Sequence, residues 1–256
     1  MIFVIGAAGS IGSELCRQLK NVVAVDQDES GLFDLSGVIP EIANIRNKER
    51  LEELFEKYRP NVVYHAAAYK HLSNYEREHM EEVVLTNVIG TLNIIKLCEK
   101  HRAKLVFIST DKAVNPTSLM GTTKLLGEIM VKRANGVVVR FGNVIGSRGS
   151  VIPIWEKQVV KNEPITITDP DMKRYFMSIP DAVKLVIKAS KAKGGQVMIM
   201  DMGEQEYITK VAERLFGSDY PVKITGAKEG EKLEEELMTP DEQKRAIKKG
   251  NFYVIN

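Results

Sequence analysis

Cysteine is scarce in this chain of 256 residues, and the two present, Cys16 and Cys98, stand far apart in helix-like patterns. They form neither a redox CxxC pair nor a metal-ligand spacing. No metal site is expected, and reduced core thiols fit an intracellular protein. Long apolar runs are missing too: none approaches the ~20 residues that a membrane helix needs. The chain opens on the strand-like Met1-Ile2-Phe3-Val4-Ile5, so no secretory leader is expected. Charge of one sign is also lacking. The 36 Lys+Arg against 34 Asp+Glu leave a net +2, too little to argue for nucleic acid or an anionic membrane as partner. The runs Lys228 to Glu236 and Lys244 to Lys249 mix signs or lie near the end, and read as solvated faces. A soluble, cytoplasmic protein is the expectation. Its 44% hydrophobic and 27% charged residues are ordinary for a globular chain, and the length suits one domain with or without an appended lobe.

What the sequence does contain is alternation. Apolar runs at Ile2 to Ile5, Val22 to Val25, Asn61 to His65, Leu105 to Ser109 and Val137 to Arg140 read as buried parallel strands. Segments of helical spacing lie between them, at Ser10 to Leu19, Lys48 to Lys57, Glu81 to Lys100 and Leu119 to Arg133. The pattern predicts βαβ units in an α/β fold with a doubly wound parallel sheet. Another strand is expected within Val38 to Ile45, its limits blurred by Gly37 and Pro40. After Arg140 the pattern changes to a glycine-rich loop, a helix near Ile152 to Lys161 and a short strand at Ile165 to Ile167. Pro180 suits the first turn of a helix running to about Lys191, and Val197 to Met200 reads as a returning strand. A helix near Ile208 to Phe216, a strand near Val222 to Ile224 and a terminal helical patch complete the chain. The expected division is a nucleotide-binding domain of residues 1–142 and 178–202, with a smaller substrate lobe of 143–177 and 203–256.

Gly6-Ala7-Ala8-Gly9-Ser10-Ile11-Gly12 falls between the first strand and the first helix. A dinucleotide fold needs a tight turn there, a close backbone approach to pyrophosphate, and a helix N-terminus that turns amide donors toward the phosphates. Asp26 ends the second strand 26 − 6 = 20 residues after the first glycine, where a carboxylate can accept from ribose hydroxyls. With Gln27 beside it and no cation, Asp26 favours NAD over NADP as the NAD(P) cofactor. The small residues Ala66, Ala67 and Ala68 let a cofactor pass close over the end of the fourth strand, and His65 reads as a packing histidine.

Ser109-Thr110-Asp111-Lys112, then Asn115-Pro116, Met120 and Lys124, nearly spell a Tyr-x-x-x-Lys dehydrogenase site. Methionine stands where the proton-carrying tyrosine would be, so the proton work falls to neighbours or the site is silent. Asp111 and Lys112 follow a strand at the carboxyl edge of the sheet, where ligands bind in such folds. A buried Asp111 carboxyl that keeps its proton could act as an acid, and a Lys112 amine stripped of its proton could act as a base.

Further blocks occur in order: Tyr69-Lys70-His71, Thr86 to Thr91, Arg140-Phe141-Gly142-Asn143-Val144, Gly146 to Pro153, Arg174-Tyr175-Phe176-Met177 and Gly230-Glu231-Lys232. Together the blocks resemble the polysaccharide-biosynthesis branch of extended short-chain dehydrogenases, the nucleotide-sugar 4,6-dehydratases acting on UDP-N-acetylglucosamine. One subgroup of these carries Met in the tyrosine's place. The resemblance implies oxidation at C4 by NAD(P)⁺, loss of the C5 proton and the C6 hydroxyl as water, and return of hydride to C6. It implies Asp111 as acid to the C6 hydroxyl, Lys112 as base at C5, Thr110 bonded to the C4 oxygen, and Lys124 on the nicotinamide ribose. The group that takes the C4 hydroxyl proton stays open among water, Lys124 and Asp111. Cofactor contacts are further implied for Asn44, Ile45, Lys70 and Ser109. Substrate contacts are implied for Lys70, His71, Met120, Asn143, Ser150, Val151, Arg174 and Glu231. Two departures stand out: Lys228-Glu229 replaces the family's frequent Arg-Pro, and Asn44 replaces an aspartate near the adenine. Relatives pair the helices Glu81 to Lys100 and Leu119 to Arg133 across a dimer interface, which implies a homodimer or larger assembly. Longer relatives carry membrane helices before this domain, and the chain reads as a stand-alone enzyme without them. The alternatives are a UDP-sugar 4-epimerase and a catalytically silent nucleotide-binding regulatory protein.

Overall fold

In the computed structural model, which describes residues 1–71 and 78–256, the apolar runs form one twisted sheet. Strands β1 (Ile2–Ile5), β2 (Val22–Asp26), β3 (Ile39–Ile42), β4 (Val62–His65), β5 (Lys104–Ile108), β6 (Val137–Arg140) and β11 (Val197–Met200) lie parallel in the order β3-β2-β1-β4-β5-β6-β11. The order reverses at β1, which opens a crevice above the carboxyl ends of β1 and β4, the place where such sheets bind ligands. Strands β1, β5, β6 and β11 are almost wholly buried because helices cover both faces, so their sequences run apolar without alternation. Pro40 is accommodated within β3, since that strand is the edge and a missing amide donor faces no neighbour there.

Two core layers flank the sheet. One joins Val4, Leu15, Val106, Val139, Val183 and Val186, where helix α1 (Ser10–Gln18) packs beside the helix Ile179–Ala189. The other joins Phe3, Phe55, Ile94, Leu97 and Phe107 beneath the helices Lys48–Tyr58 and Thr91–His101. The second of these helices continues from Met80–Val84 through a π-helical stretch, Leu85–Gly90. Among the described residues, no helix is long and apolar enough to cross a membrane.

The lobe beside the sheet has its own small core of Ile152, Trp155, Ile165, Ile167, Met172, Ile208 and Val211. One sequence expectation is corrected at the end of the chain. The helical patch is only Pro240–Arg245, and beyond it Ile247–Lys248 and Phe252–Ile255 form a hairpin. Phe252–Ile255 pairs antiparallel with β11, so this part of 203–256 belongs to the main sheet and not to the lobe. Its Phe-x-Val-Ile pattern is too short to separate strand from helix by periodicity alone.

Candidate active site

The turn after β1 is built to admit a ligand against backbone. Gly6 has φ +84, and a Cβ there would lie 2.5 Å from the Ala67 amide nitrogen. A Cβ on Gly12 would fall 2.0 Å from the Gly6 carbonyl oxygen, so the first turn of α1 can seat only on a glycine. Beside this turn is a cavity of 240 Å³ lined by Gly6, Ala8, Gly9, Asp26, Gln27, Asn44, Ile45, Ala66, Ala67 and Ala68 among others. Ten residues from the expected cofactor set are thus brought together. Ser10, Ile11 and Gly12 continue from that turn into α1.

The side chains around this cavity are already engaged with one another. Asp26 accepts from the Ala8 amide at 2.9 Å and the Asp28 amide at 3.1 Å, so its carboxylate braces the glycine turn. Asn44 donates to Gln27 at 2.7 Å and accepts from the Arg46 amide at 2.9 Å. Arg148, from the loop after β6, donates through its amide to Ser10 Oγ at 2.9 Å and pairs with Asp28 at 3.3 Å. Arg148 lines the cavity but is absent from the expected set, because nothing local in a Gly-Ser-Arg-Gly loop tells where its side chain goes.

A second cluster lies where β5 ends. Asp111 opens a 3-10 turn, Asp111–Ala113, and is fully buried. Its Oδ1 accepts from Thr110 Oγ1 at 2.9 Å and from Lys112 Nζ at 3.0 Å, while Oδ2 is buried without a hydrogen-bond partner among the described residues. Lys112 Nζ also donates to Asn143 Oδ1 at 3.1 Å. Thr110, Asp111, Lys112 and Asn143 therefore converge. Lys70 reaches the same region and donates to Ser147 Oγ at 3.3 Å. Burial, then the Lys112 charge, lowers the proton affinity of Lys70. His71 lies under Gly149, where a Cβ would strike its ring at 2.4 Å. Ser150 stands at the N-cap position of the helix Val151–Val160 without a side-chain capping bond, and its hydroxyl is buried without a partner among the described residues.

Met120 and Lys124 sit one turn apart at the start of the helix Leu119–Arg133, both buried. Lys124 donates to the Ile108 carbonyl and lies 4.2 Å over the Phe107 ring. Burial brings its pKa down to about 8, with Glu128 opposing the shift. The Ser109 hydroxyl donates to Glu128 at 2.5 Å, since that buried carboxylate needs donors, and its oxygen keeps acceptor capacity. Arg174 is 4% exposed; its NH1 donates to the carbonyls of Lys173 and Leu233, and its NH2 lies 3.7 Å from Glu231. Arg174 and Glu231 are brought together, each engaged with the protein. His65 is fully buried against Phe107 and within 2.9 Å of Thr91, a packing histidine as expected.

Two residues besides Arg148 escaped the sequence reading. Asn87, in the π-helical stretch, accepts from the Tyr69 amide at 2.8 Å and donates to the Tyr69 carbonyl and to Thr123, which fixes the loop that carries Lys70. Such π-bulges often mark functional positions. Glu235 is 3% exposed and lies 3.6 Å from Lys112 Nζ. It belongs to the run Lys228 to Glu236, whose mixed charge reads as a solvated face and in fact enters the interior at this residue.

Comparison with known proteins is consistent with this geometry. The family model described as polysaccharide biosynthesis protein matches residues 2–256. The chain belongs to this family. Within it, the probable polysaccharide biosynthesis protein EpsC of Bacillus subtilis (strain 168) is 42% identical over 94% of this chain and 45% of its own length. The chain thus spans less than half of that relative. A UDP-N-acetylglucosamine 4,6-dehydratase (inverting) of Campylobacter jejuni is 32% identical over 100% of this chain and 82% of its own. A UDP-glucose 4-epimerase of Rickettsia bellii is also 32% identical, over 99% and 82%. Among solved structures, Pen from Bacillus thuringiensis superposes with a TM-score of 0.90 at 33% identity, over 99% of this chain and 87% of that one. The fold is that of an extended short-chain dehydrogenase of the polysaccharide-biosynthesis branch.

Proposed function

We propose that this chain is the catalytic unit of a nucleotide-sugar 4,6-dehydratase, with UDP-N-acetylglucosamine or a similar UDP-hexosamine as substrate. The observation that carries the reading is the buried Asp111 carboxyl in contact with Lys112 Nζ at the carboxyl edge of the sheet. An acid and a base side by side are what elimination across C5 and C6 needs.

The residues at the cavity fit an NAD(P) cofactor: a glycine turn with no room for a Cβ, a helix N-terminus and a floor of alanines. When bound, the nicotinamide supplies a two-electron acceptor for the C4 hydrogen and a donor for C6. Asp26 turns a negative charge to the ribose end of the cavity, which favours NAD over NADP. Lys124 holds a cation at the nicotinamide end, where it binds ribose and favours loss of a nearby hydroxyl proton. Thr110 hydrogen-bonds the C4 oxygen. Lys112 takes the proton from C5, which the C4 ketone has made acidic, and Asp111 protonates the departing C6 hydroxyl. Asn143, Ser150 and Arg174 are the residues assigned to the substrate's diphosphate and uracil, and the Arg174 fork suits a phosphate. Exposed Ile89, Leu126 and Ile129 on the two neighbouring helices support a homodimer through that face.

A 4-epimerase is the second reading, supported by the Rickettsia relative. It shares C4 oxidation but needs no C5 base or C6 acid. Asp111→Asn separates the two: the variant should lose water elimination yet still oxidise C4, seen as nicotinamide absorbance that builds up on adding UDP-N-acetylglucosamine. Full dehydratase turnover in that variant would remove Asp111 from the acid role.

A further inference from the structure

Asp111 is not the sole acid at Lys112. Glu235 approaches the same Lys112 nitrogen from the opposite end of the chain, and the two carboxyls are placed alike. Each has one oxygen toward Lys112 Nζ, at 3.0 Å for Asp111 Oδ1 and 3.6 Å for Glu235 Oε1. Each has its other oxygen buried without a hydrogen-bond partner among the described residues. Both residues are shut off from solvent, at 0% and 3% exposure.

The segment that carries Glu235 is fastened along the loop that follows Asp111. Thr117 donates to the Gly230 carbonyl at 2.7 Å, Lys232 to the Val114 carbonyl at 2.7 Å, and Asn115 to Glu236 at 2.6 Å. Arg140 donates to the Leu237 carbonyl at 2.9 Å, and the Glu235 amide itself donates to Gln205 at 3.2 Å. Five bonds hold a charged segment in place and leave its one buried acid short of partners. A carboxylate with unmet lone pairs in a dry site is costly, and a proton on one of two neighbouring carboxyls relieves that cost.

We propose that Glu235 is a positioning residue that forms an acid pair with Asp111 across Lys112, and that the pair jointly holds the proton given to the departing hydroxyl. The other charges facing the pair are Lys232, 3.7 Å from Glu235 Oε2, and Arg174, both of which favour the ionised form. Burial opposes them and is the larger influence on Glu235, with the Asp111 charge acting in the same direction as burial. Lys70 adds a cation on the Lys112 side, and the Tyr175 hydroxyl, bonded to Gln205 and held protonated first by burial, feels the Asp111 charge. The proton balance closes within the cluster once Lys112 is the free amine: the pair gives one proton to the leaving hydroxyl, the amine takes one from C5, and the ammonium so formed returns a proton to the pair.

The chemistry of this inference rests on the dehydratase reading, but its first test does not. Infrared difference spectra of the whole protein at neutral pH should show the carbonyl band of one protonated buried carboxyl. Glu235→Gln and Asp111→Asn should each abolish the band, since a single carboxylate is then left with the cations of the cluster, Lys112 in both variants and Lys232 and Arg174 as well beside Glu235. A band that survives in Asp111→Asn means that Glu235 titrates by itself, and no band in the native protein means that there is no shared proton; either overturns the proposal. Glu235→Gln keeps the side chain's shape, and circular dichroism confirms the fold of each variant. On the nucleotide sugar, Glu235→Gln should lower kcat with KM little changed, and the alkaline limb of kcat should move to lower pH by about one unit or more. An unmoved limb in an active variant also overturns it. Loss of the band in both variants without any dehydratase activity would leave the acid pair standing and remove the assigned reaction instead.

Discussion

Arg140 and Glu128 meet as a fork-to-fork ion pair inside the protein, with NH2 to Oε2 at 2.6 Å and Nε to Oε1 at 3.1 Å. The pair joins β6 to the helix that bears Met120 and Lys124. Glu128 also accepts from Ser109, and Arg140 also holds Glu242 at 2.8 Å, whose helix is capped by a reciprocal Thr239–Glu242 box. One buried guanidinium thus ties the cofactor-side helix to the C-terminal segment.

Removing one member of such a pair leaves the other charge buried. Arg140→Met should therefore destabilise the protein by about 3 kcal/mol or more in urea unfolding. The double variant Arg140→Met/Glu128→Met should recover much of that loss, since two apolar side chains replace two charges.

Lys124 is predicted to trade stability for function. Its pKa is about 8 in the fold against 10.5 when exposed, so it stabilises the fold only as a neutral amine. That contribution is present above pH 10.5 and is lost as pH falls through about 8. At neutral pH the charged lysine costs the apo fold up to about 3 kcal/mol. Lys124→Met should raise the thermal midpoint of the cofactor-free protein while abolishing turnover, and calorimetry beside an activity assay reads both.

His65 sets an acid limit. Burial first, then the Lys124 charge, lowers its pKa from 6.5 to about 3. The neutral ring stabilises the fold above pH 6.5, and that stability is lost as pH falls toward about 3, at up to about 1.4 kcal/mol per pH unit. His65→Phe should flatten this limb in acid-unfolding curves. Thr91 keeps its own bond to the Asn87 carbonyl at 2.7 Å, so the helix above stays anchored.

Gly142 reports on the site without touching the cofactor turn. A Cβ there would lie 2.8 Å from Tyr175 Cβ, 3.0 Å from Asp111 Oδ2 and 3.1 Å from Met202 Sδ. Gly142→Ala should fold, shift the Asp111 carboxyl, and lower kcat by about tenfold or more. Unchanged kcat would show that the Asp111 position is not critical.

The legible parts of this protein are those with local signals. The parallel strands declare themselves as apolar runs, because both faces of the sheet are covered. Gly6 and Gly12 sit at a strand-to-helix junction where only a bare backbone fits, and Asp111-Lys112 follow a strand at its binding edge. Glu235 and Asn87 were not legible because their roles depend on distant partners. Glu235 lies more than a hundred residues from Lys112 in a run that looks solvated, and Asn87 matters through the Tyr69 backbone. The terminal hairpin was missed for a related reason: Phe252–Ile255 is a strand because β11 offers it an edge.

The central claim is that Asp111 and Lys112 remove water across C5 and C6 of a UDP-hexosamine. The most direct test is incubation of the protein with UDP-N-acetylglucosamine and NAD(P)⁺ in deuterated water, followed by proton NMR of the sugar. The account predicts a 4-keto-6-deoxy product with deuterium at C5, formed by the native protein and not by Asp111→Asn. Unchanged substrate, or a C4 epimer that keeps its C6 hydroxyl and its C5 proton, would contradict it.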